Sequence, residues 1–525
     1  MRRLLALVVF VLIAAGGTSS AWAQSPLTQV NGPSPFEPNC NGAPQNGTVY
    51  PNAEVEPWVS TNLADPRNLI AVWQQDRWSN GGAQGNLTAY SFNRGRSWTL
   101  PDPPPFSRCA GGNPANGGDY ERATDPWVSF GPDGSAHQIA LSFNDSNPTN
   151  AILVSSSRDG GRTWGPIKTL QRDTTAELFN DKETLTADPT NRRFVYAVWD
   201  RLQTQNPADP NSPFSGDTLF ARSTDGGRTW EPTRTILDSP DNSNVQTIGN
   251  QIVVLGDGTL VNVFDLIDQG TTLLAVQRST DKGVTWSEPI IVDLMFSSVL
   301  TTQGGVIDPS DGHPVRTGDI LPEAAADPRR RSQTLHVVWQ DLRFTLLGEI
   351  ANDQIVLATS TDGGRTWSDP KRVSANRNVQ SFTGSVHVNR AGRIGVSYYD
   401  FTFDGPGGTL DTDHWFTASR NGGLTFSPRQ RLTARSFDMR TAPDAGGFFV
   451  GDYVGLDSTG RRFASVFVPA NDGNTANRTD VFSTLVRPAF GGSSLATARA
   501  ARSSAAKRAL ASPLRRPIQG AVRRR

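Results

Sequence analysis

The 525 residues contain only two cysteines, three methionines and five histidines. Two cysteines exclude a disulfide-built scaffold. The histidines, His137, His313, His336, His387 and His414, are scattered and show no zinc-ligand spacing. No phosphate-cradling glycine loop and no Gly-x-Ser-x-Gly nucleophile elbow occurs, which removes two large enzyme classes. Beyond the N-terminus no run approaches the roughly 20 apolar residues of a spanning helix. No aromatic residue follows Phe490, so the basic C-terminus has no means of specific nucleic-acid readout.

The N-terminus has two arginines, an apolar run from Leu4 to Ala15 and small residues up to Ala23. It reads as a secretory signal over 1–23, and the protein is expected to be secreted or held at the cell surface. In that oxidising setting Cys40 and Cys109 are expected to form one disulfide, pinning an N-terminal lead (24–49) onto the body. Equal totals of 50 basic and 50 acidic residues hide an asymmetry, because residues 488–525 hold nine Lys/Arg and no acid. Without that stretch and Arg2 and Arg3, 39 basic residues face 50 acidic ones. The tail reads as a solvated, disordered segment or as a polycation that contacts an anionic envelope.

What is abundant is turn and aromatic: 50 Gly, 36 Pro and 13 Trp, the composition of many short strands between tight turns. The octapeptide STDGGRTW occurs at 223–230 and again at 360–367, with relatives at 91–98, 157–164, 279–286 and 419–426. Its acceptor positions are Asn93, Asp159, Asp225, Asp281, Asp362 and Asn421. Each can take hydrogen bonds from the following amides while Gly supplies positive φ, so the box is a self-contained turn. Seven hairpin patterns, such as EPWVSTNLADPRNLIAVWQ from Glu56, bring alternating apolar residues around Asp-Pro or Asp-Gly turns. Six boxes and seven hairpins favour seven four-stranded blades over six, in an all-β propeller over residues 50–487 with the boxes on one face.

The repeated Ser-x-Asp-x-Gly-x-Thr-Trp resembles the Asp-box (BNR) repeat of the sialidase superfamily. The resemblance implies a secreted β-propeller that acts on or binds glycans, as an exo-sialidase-like glycoside hydrolase or as a noncatalytic propeller for a surface polymer or protein. It also implies an acid/base carboxyl, a nucleophilic tyrosine with its base, and arginines that grip a carboxylate. The superfamily's Arg-Ile-Pro signature is replaced here by Glu54-Val55-Glu56-Pro57, so acid stands where a substrate-binding arginine is expected.

The boxes are turns between third and fourth strands, so variable loops and chemistry belong on the opposite face. There the catalytic expectation falls on Tyr453 with Asp452, and on Glu56, Asp125, Glu183 and Glu323. Substrate-binding arginines are expected among Arg77, Arg122, Arg201 and Arg343. The Asp that closes most second strands (Asp76, Asp145, Asp200, Asp265, Asp341, Asp400) recurs too regularly for a catalyst and reads as a turn or inter-blade acceptor. No cofactor is expected, although the oxygens of Asp181, Glu183, Asp319 and Glu323 could hold Ca²⁺. The long connection from Ser287 to Asp319 reads as a binding loop or a tolerated insertion. A monomer is expected.

Overall fold

The computed structural model describes residues 26–490, apart from 210–211, 242 and 346–350. The signal segment and residues 491–525 of the basic tail lie outside the described residues. The fold is all-β. Among the described residues the helical elements are two single turns, Ser298–Leu300 and Met439–Thr441.

The strands come in consecutive antiparallel runs. The first joins Glu54–Thr61, Leu69–Arg77 and Ala83–Ser91, extended by a bridge from Tyr90 to Thr99. Five further runs begin at Arg122–Phe130, Leu178–Ala187, Val245–Val254, Glu323–Ala326 and Ser381–Val388, each continuing through three more strands. The last comprises Gly455–Thr459, Arg462–Phe467 and Phe482–Val486. Its outer neighbour is Thr28–Gln29 from the other end of the chain, with Thr28 opposite Ser483. The N-terminal lead is therefore part of a sheet and not only an appendage tied by Cys40–Cys109, whose Cα atoms are 4.8 Å apart. This topology also explains the missing seventh box. A box is the turn between the third and fourth strands, and in this run the two are not consecutive in sequence.

Each box closes on itself as its residue types dictate. Asp225 accepts from the amides of Arg228 (3.0 Å) and Thr229 (2.9 Å) and from the Ser223 and Thr229 hydroxyls (2.8 and 2.7 Å). Asp362 repeats the pattern. Desolvation is the largest single influence and raises both carboxyls, but the hydrogen bonds from Thr229 and Thr366, the Ser hydroxyls and the following amides together outweigh it and hold them at about 2. The apolar volume sits between neighbouring runs. Trp73, Trp199 and Trp339 occupy the middle of three second strands and are fully buried, each with its indole N–H bonded, to Gln75, Asn180 and Asp341. At about 25 cal/mol per Å², burying one such ring contributes on the order of 5 kcal/mol before entropy is counted.

Candidate functional site

Five of the first strands share one irregularity. Opposite the second strand, two residues face one: Glu56-Pro57, Asp125-Pro126, Lys182-Glu183, Gly249-Asn250 and Thr383-Gly384. The leading residue of each pair has positive φ: 53° at Glu56, 46° at Asp125, 50° at Lys182, 70° at Gly249 and 47° at Thr383. Such a bulge re-aims a side chain, and left-handed backbone at a non-glycine residue costs about 1–2 kcal/mol. The hairpin patterns align Glu183 with Glu56 and Asp125. The bulge register corrects this by one residue, making Lys182 their equivalent.

Strand and bulge together bring three of these leading residues into contact, with Asp452 completing the group. The Lys182 ammonium lies 2.7 Å from Asp452, 3.0 Å from Asp125 and 3.6 Å from Glu56. Asp452 also takes a bidentate grip from Arg316, at 2.7 and 3.2 Å. Glu56 accepts from Gln74, whose own carbonyl accepts from Arg77 at 2.7 Å. The Arg77 and Arg316 guanidiniums lie over the same buried Phe449 ring, at 4.9 and 4.5 Å.

These environments separate the carboxyls. Burial pushes Glu56 up to about 8, with the Lys182 charge only partly opposing it, so the acid is largely protonated at neutral pH. Burial also raises Asp181 to about 6 and Asp319 to about 7. Asp452 goes the other way: the charges of Arg316 and Lys182 outweigh its desolvation and hold it well below the usual range. Burial and the neighbouring Arg316 lower Arg77 to about 10.

A cavity of about 640 Å³ opens on this cluster. Glu56, Arg77, Asp125, Asp181, Lys182 and Arg316 line one part, and Phe143, Phe179 and the 144–148 turn line another. Of the residues singled out in the sequence, the structure thus unites Glu56, Asp125 and Asp452 with Arg77. It adds Lys182, which stands one residue before the expected Glu183, and Arg316, neither of which the sequence singled out for a role. Arg316 is the only Lys or Arg between Trp286 and Asp319, which is the signal that could have found it. The long connection bears it, pairing Val315–Arg316 in parallel with Phe448–Phe449.

The other residues singled out in the sequence stand elsewhere. The Tyr453 hydroxyl donates to the Pro126 carbonyl at 3.3 Å, and its ring meets the stacked Trp58 and Trp127 edge-on. Burial, reinforced by the surrounding carboxylates, pushes this phenol well above its ordinary value. It is a poor nucleophile and does not border the large cavity. Arg122 spends its donors on Gln45, Asn80, Gly81 and Asn46, holding down the N-terminal lead. Arg201 pairs with Asp217 in its own run, and Arg343 pairs with Asp341 in its own run and with Asp293 in the preceding one. Glu183 and Glu323 face a separate small cavity. Among the described residues no group of three His, Cys, Asp or Glu is placed to hold a metal ion, so the four oxygens considered for Ca²⁺ do not converge. The recurring Asp serves as an acceptor at several places, as when Asp200 takes bonds from Thr247, Gly249 and Asn250 of the next run.

No family model matches the chain. A sialidase of Micromonospora viridifaciens is 31% identical over 186 residues, covering 31% of this chain and 28% of the relative. The match thus spans under a third of that relative's length. Among solved structures, an α-L-arabinanase of Penicillium chrysogenum overlaps at TM-score 0.41, with 13% identity over 87% of this chain and 98% of its own. A Trypanosoma rangeli sialidase overlaps at TM-score 0.36, with 14% identity over 94% and 63% respectively. The similarity to a sialidase agrees with the resemblance carried by the boxes.

Proposed function

We propose that the chain is an exported, glycan-acting propeller of sialidase-like architecture whose large cavity hydrolyses a glycosidic bond. Glu56 is the proton donor and Asp125 the partner carboxyl. The observation that carries this reading is their placement: both line the cavity, both contact Lys182, and burial leaves Glu56 a proton at neutral pH. Groups 3.6 and 3.0 Å from one nitrogen have oxygens no more than about 7 Å apart, within reach of either paired-carboxyl geometry of glycoside hydrolysis. Arg77 and Arg316 supply two guanidiniums on the same wall, a match for an acidic sugar.

Seven blades are supported by the runs themselves. Their first strands lie beside one another in cyclic order, and Gly455–Thr459 returns to Glu54–Thr61. Export rests on the apolar N-terminal segment, and the basic tail suits an anionic envelope.

Purified protein should turn over one member of a panel of fluorogenic sialosides, uronides and neutral glycosides, with sialosides first because the curated relative is a sialidase. Glu56→Gln should lower kcat at least about 100-fold, the usual worth of a general acid. A second reading is favoured by the ion pairing of every carboxylate around Lys182, which leaves a satisfied polar network. On that reading the cavity binds glycans without turnover. Saturable binding with no hydrolysis across the panel would replace the first reading with the second.

A further inference from the structure

Behind the large cavity lies a second, of about 30 Å³, bordered by Asp125, Lys182, Glu183, Gln251, Glu323 and Tyr453. Asp125 and Lys182 line both cavities and form the partition between them. Glu183 is 2% exposed, and neither carboxyl oxygen makes a well-formed hydrogen bond among the described residues, the Glu183 and Leu141 amides giving it only partial support. Leaving a buried polar group unbonded costs about 1–3 kcal/mol, more for a charged one. A cavity needs only about 10–15 Å³ to accommodate a water molecule provided that two or more polar groups reach it; here the wall is mainly apolar, with Trp127, Leu321 and Pro322, and Glu183, Gln251 and Glu323 supply the polar groups.

We propose that the small cavity is a water site built around Glu183, and that Glu183, protonated and water-bridged to the Asp125–Lys182 partition, is a positioning residue for the reaction centre. A neutral carboxylic acid there donates its O–H to water and adds no charge beside Asp125. The groups that face it are Asp125, Asp181, Lys182, Glu323 and Tyr453, and one further negative charge among them would repel two aspartates and loosen the hold of Lys182 on Asp125. Burial first, then the Asp125 charge, raises the Glu183 carboxyl well above its ordinary value. Burial likewise raises Glu323, against the hydrogen bond from Gln251. The bulge accounts for this arrangement: with Lys182 turned toward the large cavity, the next residue is turned toward the small one.

The effect on catalysis rests on the hydrolase reading, whereas the proton and the water do not, so two measurements separate them. Infrared difference spectra of full-length protein at pH 7, wild type minus Glu183→Gln, should show a protonated-carboxyl C=O band that shifts in D₂O. A high-resolution crystal structure of the wild type should show an ordered water within hydrogen-bond distance of Glu183. Absence of either the band or the water overturns the site, and the wild-type crystal keeps the proposal testable if the variant does not fold. Where a glycoside is hydrolysed, Glu183→Ala should lower kcat at unchanged KM and Glu183→Gln should restore it, because the amide also hydrogen-bonds water without adding charge, and the alkaline limb set by Glu56 should stay in place in both. Equal losses of kcat in the two variants would overturn the positioning role, while absence of turnover with band and water present would count against the hydrolase reading alone.

Discussion

Replacing Lys182 by Met keeps the aliphatic stem near the Tyr453 ring and deletes one charge shared by three carboxyls. At an effective dielectric near 20, opposite charges about 3 Å apart attract by roughly 5–6 kcal/mol. At pH 7 Glu56 is largely neutral, so two such attractions count, to Asp125 and Asp452. Most of that gross attraction offsets the cost of burying the ammonium. What the substitution reveals is the penalty of stranded buried charge, about 3–5 kcal/mol. Asp452 keeps Arg316, which puts the expected loss near 3 kcal/mol, read as a lowered urea midpoint at unchanged m.

The pH dependence fixes the sign. Burial opposes the Lys182 charge, but Asp125 and the other carboxylates outweigh it and raise the pKa well above 10.5. The lysine contribution is therefore complete below pH 10.5 and constant through an assay from pH 4 to 8. In the variant the stranded carboxyls take up protons at higher pH than in the wild type, so the stability gap should narrow as pH falls. A gap under about 1 kcal/mol at pH 7, or one that widens toward pH 4, would refute the reasoning.

Four other outcomes are expected. Glu56 is raised from 4.5 to about 8, so the folded state binds more protons than the unfolded and stability declines as pH rises across that window; Glu56→Gln should flatten this decline in thermal melts between pH 5 and 8. Asp225→Ala should cost about 1–2 kcal/mol of stability and leave any glycan activity unchanged, because the box serves its own turn. Its carboxyl is depressed to about 2, so its contribution is present above about pH 4 and lost as pH falls through 2. Gly451→Ala should disturb the site directly: its φ is 141° and an added Cβ would lie 2.9 Å from the Glu56 amide nitrogen, so weaker glycan affinity should accompany a lower melting temperature. Cys40→Ser opens a cross-link between residues 69 apart and should cost about 4 kcal/mol by chain entropy, checked by urea unfolding with and without reductant.

The fold class was legible because turns and periodicity are local. The Asp or Asn, Gly and hydroxyls of each box make their bonds within five residues, so eight letters suffice to recognise them. The carboxylates were legible as a face, since strand parity assigns Glu56, Asp125 and Asp452 to one rim. Their roles were not. A two-for-one bulge shifts register by a residue and leaves no mark in composition, so Lys182 and Glu183 exchanged places in the alignment. Arg316 reaches Asp452 across 136 positions on a loop without a repeat to align. Tyr453 satisfied a motif, tyrosine beside acid, that burial against the edges of the stacked Trp58 and Trp127 overrides.

The pairing of Thr28–Gln29 with Phe482–Val486 joins residues 455 positions apart, as in the contact of Ser483 with the Thr28 carbonyl. Closing a loop of that length costs about 5 kcal/mol of chain entropy by logarithmic scaling, and it is returned by a two-residue strand, the Val30–Val481 backbone bond and the side-chain bonds of Gln29 and Asn31. The first segment made thus waits for the last before it finds its place, and until then the outer edge of Phe482–Val486 is an open template for a strand from another chain. Folding yield, more than equilibrium stability, should therefore depend on Thr28 to Val30: shortening this end should leave soluble protein that folds slowly and self-associates at high concentration.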